Sequence, residues 1–272
     1  MTTTTETTLT ELKARQRKIW SSGDYGSVAW VTVPLADVLC EAVDLRPGSA
    51  VLDVATGTGH VALAAARRFG DATGIDYVPA LVETARDRAA AEGLAVDFQE
   101  GDAENLSFPD ASFDFVLSAI GVMFTADHQR AADELARVCR PGGVIGMVNW
   151  TPTGFVGEML KTVGKHVPPP PGAKPPPLWG TEEYLRELLG DRVAEWSFRT
   201  DTITERFPSP DFMADFFIAN YGPTLKASEA LEGEHRTAFR DDLVALAARS
   251  NRAADDTVAT EWEYLVAVAT RA

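Results

Sequence analysis

From residue 50 to residue 150 the apolar positions fall in short runs bounded by glycine, proline or aspartate, with helical spacing between them. The first run, residues 50–55, carries one carboxylate, Asp53, and enters the turn Thr56-Gly57-Thr58-Gly59. An alanine-rich helical pattern follows over residues 61–69. Residues 72–76 read as a second strand ending G-I-D, and Pro79–Glu92 as a helix stopped by Gly93. A third strand over residues 96–99 leads into Gly101-Asp102-Ala103-Glu104, and a fourth covers Phe113–Ala119. Residues 127–139 are helical up to Arg140-Pro141-Gly142-Gly143, and a fifth strand takes residues 144–150. Such alternation predicts a parallel sheet with helices on both faces.

The flanks are patterned differently. Residues 1–8 are polar and threonine-rich and are expected to be disordered. Helices are expected over residues 9–20 and 34–43, with residues 21–26 a loop. After residue 150 the pattern gives a helix over 154–167 and a proline-dense spacer over 168–177. Next come a helix at Glu182–Leu189, a strand over 196–207, an aromatic helix over 209–220 and an amphipathic helix over 235–249. Residues 260–270 hold Trp262, Tyr264, Val266 and Val268 at period two, which predicts a closing antiparallel strand near the sheet edge.

Composition narrows the function classes. A chain of 272 residues suits one large α/β domain with a cap. Its formal net charge of −15 leaves no basic stripe for nucleic acid and repels polyanions. The two cysteines, Cys40 and Cys139, form no metal-ligand spacing and no disulfide framework, so no metal is expected. The first residues carry no basic and apolar leader pattern, and no apolar run is of membrane-spanning length. The expectation is a cytoplasmic protein with no membrane partner, acting on a small molecule; whether it forms a homo-oligomer stays open.

Ligands of open parallel sheets sit at the carboxyl ends of the strands. Four successive ends carry informative groups here. The glycine turn follows the first strand, where bare backbone and a helix N-terminus can hold polar ligand oxygens. Asp76 ends the second, about twenty residues on, a spacing that suits a ribose diol. Asp102, with the backbone of Ala103, suits an exocyclic amine such as that of adenine. Ser118-Ala119-Ile120 follow the fourth and can line the far side. Gly57 to Ala62 also satisfies the dinucleotide pattern G-x-G-x-x-G/A, so NAD fits in part. Against NAD stand a carboxylate inside the first strand, Asp102 at a strand end where it suits an adenine amine better than a pyrophosphate, and an antiparallel strand in place of a second dinucleotide-binding half.

The segments V-L-D-V-A-T-G-T-G, G-I-D, G-D-A-E-N-L-S-F-P-D-A-S-F-D and L-A-R-V-C-R-P-G-G resemble the class I S-adenosylmethionine-dependent methyltransferases. The likeness is greatest to the small-molecule branch that includes the ubiquinone and menaquinone biosynthesis enzymes, and it covers roughly residues 46–150. It implies a Rossmann-like α/β fold with a seven-stranded, mostly parallel sheet of order 3-2-1-4-5-7-6 and an α-helical cap. It implies that Asp53, Ala55 and Gly57 hold the methionine end of S-adenosylmethionine, Asp76 the ribose, and Asp102 with Ala103 the adenine. Thr56, whose hydroxyl either adds a contact or caps the turn, joins the expected cofactor site with Gly59, Tyr77, Glu104 and Ser118. Residues 1–45 are then a lid, 46–150 the cofactor core, and 151–272 the rest of the sheet with cap insertions at 151–180 and 208–256.

The implied chemistry is SN2 methyl transfer, in which positioning can supply up to roughly 7–11 kcal/mol. A general base is needed only for some acceptors. His128, His166 and Tyr25 are the catalytic candidates; His60, which opens the first sheet helix, either touches the carboxylate end of the cofactor or serves as a cap or surface residue, and His235 reads as a solvated surface residue. Trp20, Tyr25, Trp30, Phe124, Trp150, Trp179, Phe216 and Tyr221 form a set that predicts a flat, apolar or aromatic acceptor. An NAD(P)-dependent oxidoreductase and a catalytically silent S-adenosylmethionine binder remain as alternatives.

Overall fold

Seven strands form where the apolar runs meet turn residues: β1 (Ala50–Val54), β2 (Asp71–Asp76), β3 (Val96–Glu100), β4 (Phe113–Ala119), β5 (Cys139–Trp150), β6 (Val193–Phe207) and β7 (Val258–Arg271). The computed structural model describes residues 2–272, with side chains from Leu9 onward. The strands join in one sheet of order β3-β2-β1-β4-β5-β7-β6. Strands β1 to β5 pair in parallel, and β7 runs antiparallel to both β5 and β6. Val54 lies opposite Ile75 and Asp76 opposite Glu100, so β1, β2 and β3 end level. That register gathers the loops carrying the predicted site at one edge of the sheet.

The helices are α1 (Thr2–Trp20), α2 (Tyr25–Ala29), α3 (Val33–Ala42), α4 (His60–Arg67), α5 (Pro79–Glu92), α6 (His128–Val138), α7 (Phe155–His166), α8 (Glu182–Leu189), α9 (Pro210–Asn220), α10 (Gly222–Ala230) and α11 (Gly233–Arg249). Ala62, Ala64 and Ala65 of α4 are fully buried, and their small side chains let α4 lie close against β1 and β2. Helices α7, α9, α10 and α11 pack on one another, and α1 lies along α10. No helix among the described residues is long and apolar enough to cross a membrane.

Four expectations are corrected. Helix α1 starts at Thr2, so residues 2–8 continue the helix instead of forming a disordered tail; Met1 lies outside the described residues. Threonine is a weak helix former, but a docked helix propagates more easily than it nucleates. Tyr25 sits in the first turn of α2, not in a loop, because Asp24 caps that turn by accepting from the Ser27 amide at 3.3 Å. Helix α10 has no counterpart in the sequence reading, where Gly222-Pro223 resembles a break; the proline is accommodated in its first turn. Strand β5 begins at Cys139, directly after α6. Cys139 pairs with Phe113 and Val144 with Phe115, so residues 140–143 form an irregularity inside the strand.

Candidate active site

Two non-glycine residues at strand ends adopt left-handed backbone: Ala55 after β1 (φ 55°) and Ile120 after β4 (φ 61°). Such conformations cost free energy and persist where the surroundings impose them. Gly121 shows what imposes them. A Cβ there would stand 2.4 Å from the Ala55 carbonyl oxygen, so the two loops cross backbone to backbone. Gly57 (φ 55°) follows, and a Cβ on it would point toward Tyr25, 3.6 Å from Cε1.

Asp76 fixes this turn from the neighbouring strand. Its Oδ2 accepts from the Gly57 amide at 2.9 Å and its Oδ1 from the Val78 amide at 2.9 Å. Each carboxylate oxygen has a second lone-pair direction, which leaves Asp76 able to accept two further hydrogen bonds. Burial pushes its pKa up to about 6, against the opposing pull of the backbone amides. Tyr25, beside it, has its phenol pKa raised by burial and by the Asp76 charge, so it keeps its proton and can act as a donor.

A narrow cavity of about 70 Å³ runs along the strand ends. Of the predicted residues, it brings together Tyr25, Ala55, Gly57, Asp76, Tyr77, Asp102, Ala103 and Glu104. Helix α1 forms its roof. Lys13 Nζ donates to Asp102 Oδ2 at 2.6 Å and lies 2.8 Å from Glu104 Oε2. Burial works against the Lys13 charge, yet its hydrogen bonds to Asp102 and Glu104 leave its pKa raised. Glu104 Oε1 also accepts from the amides of Ala126 and Asp127, at 2.7 and 3.0 Å. The Trp20 ring packs edge-on against Phe124, Tyr25 and Tyr221, with centroids 4.6, 5.4 and 5.7 Å away.

A second cavity of about 600 Å³ lies beyond this roof, between α1, α7, α10 and the proline-rich segment. Gln16, Trp20 and Phe124 line both cavities. Sequence reasoning missed Lys13 and Gln16. The signal was the spacing 13, 16, 20, which places these two and Trp20 on one face of α1.

Other predicted residues do not line either cavity. Asp53 is buried and accepts from the Thr56 hydroxyl and from the Ala62 amide at 3.0 Å, tying the turn to the start of α4. Gly59 caps α4, and a Cβ there would meet Phe98 Cζ at 2.8 Å. Ser118 donates to the Val54 carbonyl at 2.7 Å and accepts from the Val122 amide at 3.0 Å.

The histidines also face elsewhere. His128 is buried, its Nδ1 2.9 Å from the Tyr184 hydroxyl and its ring against Trp179; burial lowers its pKa to about 4. His166 Nε2 lies 2.7 Å from Asp242 Oδ2 on α11. His60 Nδ1 lies 2.9 Å from Arg88, and burial, then the Arg88 charge, lower its pKa to about 4. Among the expected aromatic set, Trp20, Tyr25 and Phe124 line the first cavity and Tyr221 touches Trp20. Trp150 and Trp179 are core, and Trp30 is exposed.

These features fit a nucleoside carrying a cationic tail. A backbone crossing that excludes side chains leads into carboxylates at the ends of β2 and β3. The residues able to hold S-adenosylmethionine are therefore those of the Ala55–Gly57 turn, Asp76, Tyr77, Asp102 and Ala103.

Comparison with known proteins gives the class. A methyltransferase-domain family matches residues 51–143. The chain is 38% identical over 185 residues to a demethylmenaquinone methyltransferase of Thermus thermophilus, covering 65% of this chain and 77% of that one. It belongs to the class I S-adenosylmethionine-dependent methyltransferases, with S-adenosylmethionine as cofactor and S-adenosylhomocysteine as product. More of the chain matches an uncharacterised protein of Mycobacterium tuberculosis, at 43% identity over 263 residues, or 95% of this chain and 94% of that one. Among solved structures, the YcgJ protein of Bacillus subtilis shares the fold, with a TM-score of 0.60 at 18% identity over 87% of this chain and 97% of that one.

Proposed function

We propose that the chain methylates a small, largely apolar acceptor held in the second cavity, with the cofactor along the first. The carrying observation is the shared wall: Gln16, Trp20 and Phe124 belong to both cavities, so a ligand in one abuts a ligand in the other. Bound S-adenosylmethionine supplies a methyl group on a sulfonium sulfur, already electrophilic. What remains for the protein is alignment and exclusion of water, both of which the aromatic wall provides once α1 is closed over the ligand. Asp76 serves the ribose, and Asp102 with Ala103 serves the adenine. Tyr25, which alone of the three catalytic candidates lines the first cavity, donates a hydrogen bond and orients a ligand.

His128 and His166 take structural roles in this reading, because each is engaged by another element away from both cavities. No histidine lines either cavity among the described residues, so the acceptor is one whose nucleophilic atom is activated without a histidine base. Quinone-type or other secondary metabolites with an activated ring carbon or an acidic phenol satisfy that requirement. A demethylmenaquinone methyltransferase as relative supports the same class.

Calorimetric titration with S-adenosylhomocysteine tests the cofactor half. Asp76→Asn replaces one acceptor oxygen by a donor and should weaken binding by about 1.5–3 kcal/mol, the scale of charge-assisted hydrogen bonds. Unchanged affinity in a folded Asp76→Asn protein removes the ribose assignment.

A further inference from the structure

The second cavity has a charge pattern opposite to that of the molecule. In a chain of net charge −15, its lining includes Arg15, Lys18, Lys161, Lys174 and Lys226 and no carboxylate. Its apolar part is built from residues such as Leu160, Val163 and Leu178.

Two of the five cations are matched by neighbours on their own helices. Lys161 bonds Glu158 at 2.6 Å and Lys226 bonds Glu229 at 2.6 Å. The other three are exposed. Lys174 lies over the Tyr184 ring, 5.4 Å from its centroid, and among the described residues no carboxylate pairs with Arg15, Lys18 or Lys174. Helix α1 divides its charges accordingly. Lys13 and Arg17, one turn apart, bond the acids Asp102 and Glu100 of the sheet edge, while Arg15 and Lys18 face the second cavity unmatched. Unmatched like charges around one mouth repel each other and attract an anion. An acidic protein that keeps every carboxylate off the lining of a 600 Å³ apolar cavity has the field of an anion site there.

We infer that the acceptor is an apolar anion, with a hydrocarbon or aromatic body in the cavity and a carboxylate or phosphate held at the mouth by Arg15, Lys18 and Lys174. This rests on the second cavity being the acceptor site. The methylated atom then lies on the apolar end, toward Trp20 and Phe124, remote from the anionic group.

Two fluorescent dyes that differ by one sulfonate test it. 8-Anilinonaphthalene-1-sulfonate and N-phenyl-1-naphthylamine are titrated against the full chain at saturating S-adenosylhomocysteine, whose own affinity is measured on the same samples. The sulfonated dye should bind at least tenfold more tightly. That advantage should fall below threefold in Arg15→Gln/Lys18→Gln/Lys174→Gln protein that still melts cooperatively, and it should shrink with added salt. Competition by decanoate and by decyl phosphate at matched ionic strength then distinguishes a carboxylate from a phosphate group. Equal binding of the two dyes to the native chain, or an advantage that persists in the triple variant, overturns the inference. Absence of S-adenosylhomocysteine binding to the native chain would instead overturn the cofactor reading beneath it.

Discussion

Asp53 and Asp76 sit on neighbouring parallel strands and do different work. Asp76 borders the first cavity, whereas Asp53 lies outside it and accepts from Thr56 and Ala62, both on Oδ2. Burial pushes the Asp53 carboxyl up to about 7, partly opposed by those two hydrogen bonds. The folded protein therefore holds this proton more tightly than the unfolded chain. The contribution to stability is fully present below about pH 4 and is lost as pH rises through 7. His60 and His128, with lowered pKa values, act in the opposite sense over the acid side of neutrality, so the total slope is mixed. Comparing the native chain with Asp53→Asn removes this titration together with its coupling to the Asp76 charge. Between pH 4.5 and 8, urea unfolding should show the native chain losing on the order of 1–3 kcal/mol relative to the variant. A difference that stays constant across that range would show that Asp53 does not titrate there.

At the same scale, the sequence revealed which residues could do chemistry more readily than which way they face. His128 and His166 fall on helices near the site, but their partners, Tyr184 and Asp242, lie 56 and 76 residues further along the chain. Spacing along one element carries no information about such partners. Asp76 and Asp102 were legible because a strand end in a parallel sheet has one place to go.

At the scale of elements, the parallel core was legible because β1 to β4 are short apolar runs with glycine or aspartate at their ends. Helix α10 and the first turns of α1 and α2 were not, because glycine, proline and threonine read as breaks unless tertiary packing is known. Helix α1 is where this matters for function. It roofs the first cavity through Lys13 and Arg17, and the space beneath it, about 70 Å³, falls well below the 300–1,000 Å³ usual for small-molecule sites. A nucleoside can enter only if α1 lifts, which breaks the Lys13 bonds to Asp102 and Glu104. Amide hydrogen exchange over residues 9–30 should slow at least tenfold on saturation with S-adenosylhomocysteine. Lys13→Gln should speed it in the free protein. Equal exchange rates with and without the ligand would mean that α1 is a permanently docked roof.

At the scale of the molecule, one end of the sheet carries two joined cavities of opposite character. The first is bordered by the carboxylates Asp76, Asp102 and Glu104, the last two paired with Lys13 of the roof, which leaves a net negative lining suited to a cationic cofactor; the second is apolar with a basic mouth. The sheet order and the family were legible from four motifs in residues 46–150. The second cavity was not, because its walls come from α1, α7, α10 and the proline-rich segment, which meet only in the folded chain. The two spaces meet at the wall formed by Gln16, Trp20 and Phe124. A crystal structure with S-adenosylhomocysteine bound tests that most directly. The adenosine should lie between Asp76 and Asp102, with the sulfur facing Trp20 and Phe124 and the second cavity open beyond them. A sulfur turned away from that wall, or a ligand seated in the second cavity, would contradict the account.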